Sequence, residues 1–320
     1  MLDWFWANQL FIDDTLITAL VVMSFFVVLQ AGVFSLASVG FMAVGGYTSA
    51  VLTADHGMPA EVGILAGTVA AGLLAAIFGL GVLRLSGIYL ALGTFALGQA
   101  TIIIIGELGV THGQEGILGI PLIYSTWWAV GALAVFGAAW EVMRRSHHGR
   151  AFNAIRLDEV VARGMGIDAG RYRLVALVLS GLLAGFAGGL NAHEIGVISP
   201  DQYSFSLLVL ALTYAMVGGF SHWSGPLAAA IVLGVLREQL RGVGTDVEDL
   251  AYGVLLVLIV FVAPRGLGDR RILGAVRWLW SAVTRRPAGP AGGATPRPEP
   301  EGADATPVNR TAALAVEDRS

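Results

Sequence analysis

Long runs of apolar residues dominate this chain and constrain its fold more than any other feature. A helix needs about 20 apolar residues to cross the hydrocarbon core of a bilayer. Runs of roughly this length recur along most of the 320 residues, and the mean hydropathy is +0.73. Charged residues make up 13%, about half the share in a soluble domain. The sequence therefore predicts an all-α polytopic membrane protein and excludes a water-soluble globule.

The apolar runs predict about nine membrane-spanning helices, within a range of about eight to ten. The predicted spans are 15–34, 38–54, 62–83, 86–106, 125–143, 174–194, 205–220, 225–240 and 249–263. Glycine-rich breaks in 38–54 and 205–240 indicate broken or re-entrant helices, which need protein or a water-filled cavity around their backbone.

The two ends of the chain are predicted to lie outside the membrane domain of residues 15–270. Residues 1–14 form a short N-terminal segment, whose acids Asp3, Asp13 and Asp14 stand where a cleavable signal peptide carries bases. The first span is therefore expected to stay in the membrane. Residues 271–320 form a juxtamembrane segment and a tail rich in Pro, Gly and acids, which we expect to be disordered.

The placement of arginine predicts the orientation. Seven arginines lie in the segment 144–173 and six more follow the last predicted span, at 265–286. The loops 55–61, 107–124, 195–204 and 242–249 carry acids and no arginine. Because cytoplasmic loops carry the excess of basic residues, we expect 144–173 and the C-terminus to be cytoplasmic and residues 1–14 to be periplasmic.

The segment 144–173 is too polar to span a membrane and too patterned to be disordered. Its sequence predicts two short helices, one over 150–156 and a second that Asp158 caps and Gly166 ends. Such a basic protrusion could hold the orientation on anionic lipid, lie in the membrane interface, or dock a cytoplasmic partner. In the following span, Gly181, Gly185 and Gly189 share one helix face and predict close helix packing.

Several function classes are excluded or disfavoured by composition. The chain has no cysteine, which rules out disulfides and thiolate metal sites. All 19 basic residues are arginines, so the chain lacks the lysine of a Walker A phosphate loop. His147-His148 and His193-Glu194 lack the His-Glu-x-x-His spacing of a zinc enzyme. We expect no catalytic residue, metal, cofactor or nucleic acid partner, and a secondary transporter would carry more ionisable groups inside its spans.

Six segments resemble, in order, the LivM-type permeases of branched-chain amino acid ABC importers. GRAFNAIRLDEVVARGMGI at 149–167 resembles the cytoplasmic "EAA" loop of that family, with Val160-Val161-Ala162 in place of Glu-Ala-Ala and Glu159 as the nearest acid. The other segments that resemble the family are 35–52, 87–99, 111–121, 216–230 and 252–267. Departures include His112 for a glycine, Glu115 for an aspartate and a bulky turn at 220–223.

The resemblance implies a permease subunit without its own ATPase site. It implies a heterodimer with a second permease, two cytoplasmic ATP-binding subunits, and a periplasmic or lipid-anchored substrate-binding protein. The implied substrate is a branched-chain amino acid, with urea or a short-chain amide as the alternative. The residues implied to couple the permease to the ATPase are Gly149, Arg150, Phe152, Ile155, Arg156, Glu159, Ala162 and Gly166.

Polar residues near the predicted outer ends of the spans are candidates for contact with the substrate. These candidates are Gln99, Thr111, Gln114, Glu115, Asn191 and Glu194. Each has a plainer alternative: Gln99 could form a hydrogen bond between helices, and the acids could be hydrated loop residues or contacts of the binding protein.

Overall fold

The fold is a bundle of helices, five of which are long and apolar. The computed structural model describes residues 9–85, 87–219 and 222–240, together with Gly253. The helices are α1 Gln9–Gln30, α2 Ser38–Ala50, α3 Ala60–Val82, α4 Ile88–Glu107, α5 Thr126–Arg145, α6 His147–Leu157, α7 Glu159–Gly164, α8 Ala169–Ile195, α9 Phe205–Gly218 and α10 Ser224–Leu240. The predicted all-α membrane class is confirmed.

Eight of the nine predicted spans correspond to helices. Two begin early. Helix α1 already includes residues 9–14. Asp13 is buried there, and its carboxylate accepts a 2.6 Å hydrogen bond from Thr126. Helix α8 starts at Ala169 because Asp168 caps its N-terminus. The ninth span at 249–263, the segment 271–320 and residues 1–8 lie outside the described residues.

The described helices differ in their capacity to cross a membrane. Helices α1, α3, α4, α5 and α8 are long and apolar enough to do so. Helix α2 has 13 residues and continues as a single π-helical turn, Val51–Asp55. Helix α9 has 14 residues and stops at Gly219, whose φ of +78° ends the helix. The glycine-rich breaks predicted in these two regions therefore correspond to short or irregular helices.

Small residues bring three helix backbones into direct contact at the centre of the bundle. A Cβ atom added to Gly45 of α2 would lie 2.2 Å from the carbonyl oxygen of Gly185, and one added to Gly67 of α3 would lie 2.2 Å from that of Gly45. Side chains cannot fit at such separations. The face predicted from Gly181, Gly185 and Gly189 lies against α3.

Large apolar side chains also cover the outside of the bundle. On α3 they form one stripe at helical spacing, made of Val62, Leu65, Val69, Leu73, Ile77 and Leu80, all of which are exposed. A continuous apolar outer face of this kind is typical of a surface in contact with lipid or with another membrane subunit.

The two ends of the bundle carry different structures. At one end, strand β1 (Ile117–Leu118) pairs antiparallel with strand β2 (Val197–Ile198), near the end of α8 and the start of α1. We call this the strand end. It also contains three 3₁₀ turns, Gly109–Thr111, Gly113–Glu115 and Pro200–Tyr203. At the other end, the residues after α1 contact α6, since a Cβ on Gly32 would lie 3.5 Å from Cα of Arg156. We call this the coupling end, after the role that the family resemblance implies for the segment 144–173.

Candidate functional site

The coupling segment, residues 144–173, folds into two short helices as its sequence predicts. Ser146 caps α6, and the carboxylate of Asp158 accepts hydrogen bonds from the backbone N–H groups of Val160 and Val161 at 2.8 and 3.0 Å. Gly166 has a φ of +81°. The N–H groups of Gly166 and Ile167 donate to the carbonyls of Arg163 and Ala162, which is the Schellman ending of a helix. Local residues therefore fix the shape of the segment.

Four of the predicted coupling residues face inward. Phe152, Ile155 and Ala162 are buried, and the ring of Phe152 lies 5.3 Å from that of Tyr172 and 6.3 Å from that of Trp140. Gly149 is also buried, and it packs so closely on the backbone of Arg144 that any side chain there would collide with it. These residues hold the segment on α5 and α8, and they are not exposed to a partner.

The exposed side of the segment carries an apolar stripe that sequence reasoning missed. Leu157, Val160, Val161 and Met165 are 81%, 79%, 58% and 66% exposed. Together with Gly164 they occupy positions i, i+3, i+4, i+7 and i+8. Val160, Val161, Gly164 and Met165 follow the spacing of one helical face, so this part of the signal was present in the sequence. Leu157 ends α6 and is separated from α7 by the extended residue Asp158. We call these five residues the apolar stripe. A Cβ on Gly164 would meet no atom within 4 Å, so the stripe is open at that point.

The charged coupling residues form ion pairs within the chain or lie at the surface. The carboxylate of Glu159 accepts a hydrogen bond from Arg163 at 2.6 Å and a second from Arg173 at the start of α8. Arg156 donates to Asn153 at 3.2 Å, and burial lowers the pKa of Arg156. Arg150 is exposed. Glu159 therefore ties the coupling segment to α8.

At the strand end, His193 links three elements and was missed as a structural residue. Its side chain is 1% exposed. The Nδ1 atom lies 2.9 Å from the carbonyl oxygen of Pro121, and the Nε2 atom lies 3.0 Å from Oγ of Ser49. Because a carbonyl only accepts, Nδ1 donates to Pro121. The ring thus joins α8 to α2 and to the loop that follows β1.

The six predicted substrate contacts are dispersed. Thr111 donates to the carbonyls of Ile105 and Leu108 and so closes the end of α4. Gln114 lies over Gly106, and Glu115 is exposed. Gln99 on α4 and Asn191 and Glu194 on α8 are half-buried.

Glu194 lies near other polar groups at the strand end. Its Oε2 atom is buried and has no hydrogen-bond partner among the described residues. Burial, and then the negative charges of Asp13 and Glu194, raise the pKa of the Tyr124 phenol. Asp13, Tyr124 and Glu194 therefore lie close enough to influence one another electrostatically near the start of α1.

Two apolar grooves run along the described bundle. One, of about 720 Å³, lies between α2, α3 and α4, and its few polar lining groups include Tyr47, Thr101 and Thr111. The other, of about 690 Å³, lies between α3, α5 and α8 and is lined mainly by aliphatic and aromatic side chains. Within the part of the chain that the structure describes, no group of three or more His, Asp or Glu side chains could hold a metal ion.

Comparison with known proteins gives one family. Residues 11–263 match the family described as "Branched-chain amino acid transport system / permease component". The chain is 32% identical over 267 residues to the high-affinity branched-chain amino acid transport system permease protein LivM of Escherichia coli K12. This alignment covers 71% of this chain and 62% of that protein. The corresponding LivM protein of Salmonella typhimurium is 32% identical over 266 residues, with the same coverage.

A more distant relative is named as a permease for a sugar. The D-allose transport system permease protein AlsC of Escherichia coli K12 is 24% identical over 273 residues, which is 79% of this chain and 81% of that protein. The alignments with the LivM proteins cover less than two thirds of the length of those relatives. No solved structure matches the chain with statistical significance.

Proposed function

Because this chain belongs to the family of branched-chain amino acid transport permeases, we propose that it is the membrane subunit of an ABC importer that moves leucine-, isoleucine- and valine-like amino acids across the bacterial inner membrane. The observation that carries the proposal is the coupling segment: a protrusion anchored by a buried face, with an exposed apolar stripe on the other. A stripe of this kind is suited to contact with another protein.

The stripe contacts a separate ATPase subunit in this proposal. ATP binding and hydrolysis occur on two such subunits, since this chain has no lysine for a phosphate-binding loop. Movement of the ATPase is transmitted through the coupling segment to α5 and α8, to which Phe152 and Glu159 attach it. Alternating access then follows from two arrangements of the bundle whose balance the nucleotide and the substrate shift.

The orientation and the partners follow from the same proposal. The coupling end and the C-terminus face the cytoplasm, as the arginine distribution supports. The strand end faces outward and receives substrate from a periplasmic or lipid-anchored binding protein. A second, related permease completes the pathway, and the apolar outer faces of the bundle offer the surface for it.

The substrate is assigned from the relatives and from the walls of the grooves. An amino acid with an aliphatic side chain needs an apolar wall with few polar groups, and both grooves have this character. Urea and short-chain amides remain the alternative substrates. Because the relative AlsC is named as a D-allose permease, a sugar is also tested as a substrate.

Uptake by the reconstituted transporter tests the proposal. The chain would be assembled with its second permease, ATPases and binding protein in proteoliposomes, and radiolabelled leucine, valine, urea, acetamide and allose would be supplied with ATP on the ATPase side. We expect ATP-dependent uptake of leucine and valine, and none by this chain reconstituted alone. Uptake of only urea, acetamide or allose would overturn the substrate assignment, and accumulation by the chain alone would overturn the mechanism.

A further inference from the structure

A cavity of about 390 Å³ opens at the coupling end beside the coupling segment. Its walls come from three parts of the chain: the loop between α1 and α2 with Phe34, the start of α4 with Ile88, Leu90 and Ala91, and the facing side chains of Glu159 on α7 and Arg173 on α8. Its volume lies within the range of about 300–1,000 Å³ of pockets that bind small molecules.

Arg173 has unused capacity to bind an anion. Its side chain is 13% exposed, and its Nε–H group is buried without a hydrogen-bond partner among the described residues. A guanidinium has five N–H donors in a fixed planar fork that matches the two oxygens of a carboxylate. A buried donor without an acceptor costs free energy, and a carboxylate in the cavity would approach the guanidinium where the side chain is exposed.

Glu159 has unused capacity to bind a cation. Its Oε1 atom accepts a hydrogen bond from Arg163, and its Oε2 atom accepts one from Arg173. A carboxylate offers about four acceptor positions in all, so room remains for an ammonium group. Its side chain is 30% exposed and lines the cavity.

The other residues that line the cavity are apolar. Leu90 and Ala91 are buried, and Phe34 and Ile88 form the exposed rim. The lining carries one acid and one base, so it is neutral overall. Glu159 and Arg173 also pair with each other, so a ligand with a single charge that bound one of them would compete with that pairing and leave the other without this counterion. A neutral ligand with both charges and a small apolar group fits all of the walls.

We propose that this cavity binds a free amino acid from the cytoplasmic side, with its carboxylate on Arg173, its ammonium on Glu159 and its side chain against Phe34, Leu90 and Ala91. The cytoplasmic side and the branched-chain identity of the ligand rest on the proposed function. The bound amino acid touches α7, α8, the start of α4 and the loop before α2, so it holds the coupling segment in one arrangement. Accumulated product therefore slows the coupling motion.

Equilibrium binding tests this site directly. The complete transporter, without its binding protein, would be placed in phosphatidylglycerol nanodiscs and dialysed against radiolabelled leucine. We expect saturable binding that Arg173→Gln and Glu159→Gln each weaken at least about tenfold, since a lost charge-assisted hydrogen bond has about that effect. Arg171→Gln is the matched control, because Arg171 lies on the same helix, is 86% exposed and pairs with Asp168 outside the cavity.

Two further measurements test the roles of the ligand's two charges and of its apolar side chain. Isopentylamine lacks the carboxylate and 4-methylpentanoate lacks the ammonium, so each should compete with leucine at least about tenfold less well. Phe34→Ala changes an exposed side chain, which leaves the fold intact, and should weaken leucine binding by roughly three- to tenfold while glycine binding is unchanged.

Three results would overturn the inference: no saturable binding, binding that survives both charge substitutions, or leucine binding that is lost when phosphatidylethanolamine is added, which would indicate a lipid headgroup in the cavity. Uptake measured on the same preparation distinguishes the two proposals. A transporter that takes up leucine without binding it at this site disproves the cavity assignment alone, whereas absence of leucine uptake disproves the proposed function.

Discussion

At the scale of single residues, the side chain of His193 joins three elements at the strand end. Its ring is buried and has a hydrogen-bonding partner at each nitrogen, Pro121 on one side and Ser49 on the other. If the ring is removed, the buried hydroxyl of Ser49 loses this partner, while the carbonyl of Pro121 keeps only the hydrogen bond from the backbone N–H of Ile123. Desolvated polar groups without partners are among the costliest local defects in a folded protein.

We therefore expect His193→Ala to lower the free energy of unfolding by about 1–3 kcal/mol, measured by denaturant unfolding of the purified subunit in detergent. The control is His147→Ala, because His147 is exposed on the first turn of α6. Equal stability of the two variants would show that the His193 contacts contribute nothing.

Residue-scale features were predictable where they depend on nearby sequence. Asp158 and Gly166 act on backbone groups within five residues, so their cap and stop were predicted from spacing. The partners of His193 are 144 and 72 residues away in the chain, and a single sequence carries no signal for such a pairing. Thr111 is predicted to be a candidate substrate contact, and it also forms hydrogen bonds that close the end of α4, a local role that its position after that helix suggests only in part.

At the scale of elements, the coupling segment is a two-sided unit. One side is packed on α5 and α8, and the other presents the apolar stripe. The helices and spans were predictable because apolar runs and helix caps are local. Which side of the segment faces outward was not, because Ala162 and Gly164 are both small and only the tertiary packing buries the first and exposes the second.

Gly164 gives the sharpest test of the stripe. Because an added side chain there meets no atom, Gly164→Trp should leave the fold intact but block docking of the ATPase subunit. We expect ATP-dependent uptake to fall at least about tenfold, which corresponds to a loss of about 1.4 kcal/mol of contact free energy. Gly81→Trp is the matched control, since Gly81 is also helical, exposed and open. Equal uptake by both variants would remove the stripe from the mechanism. Gly166 is unsuitable for this test because its φ of +81° would strain any side chain.

At the scale of the whole molecule, the bundle has two chemically different ends joined by closely packed helices. Residues 287–320 follow the arginine-rich segment after the last predicted span and contain no long apolar run. From the sequence we predict that deletion of residues 290–320 leaves leucine uptake within about twofold of the full chain, because such a segment cannot bury enough apolar surface to form a folded domain. A large loss of uptake, with the protein still present in the membrane, would show that the tail takes part in transport.

The most direct test of the central claim uses the absence of cysteine in this chain. Val160→Cys would place one thiol on the apolar stripe, and Gly81→Cys would place one away from it. In membranes that contain the complete transporter, we predict that Val160→Cys forms a cross-link to the ATPase subunit with a short bifunctional reagent, that the yield changes when ATP is added, and that Gly81→Cys does not cross-link. Labelling of Val160→Cys by an impermeant thiol reagent added outside intact cells would contradict the account.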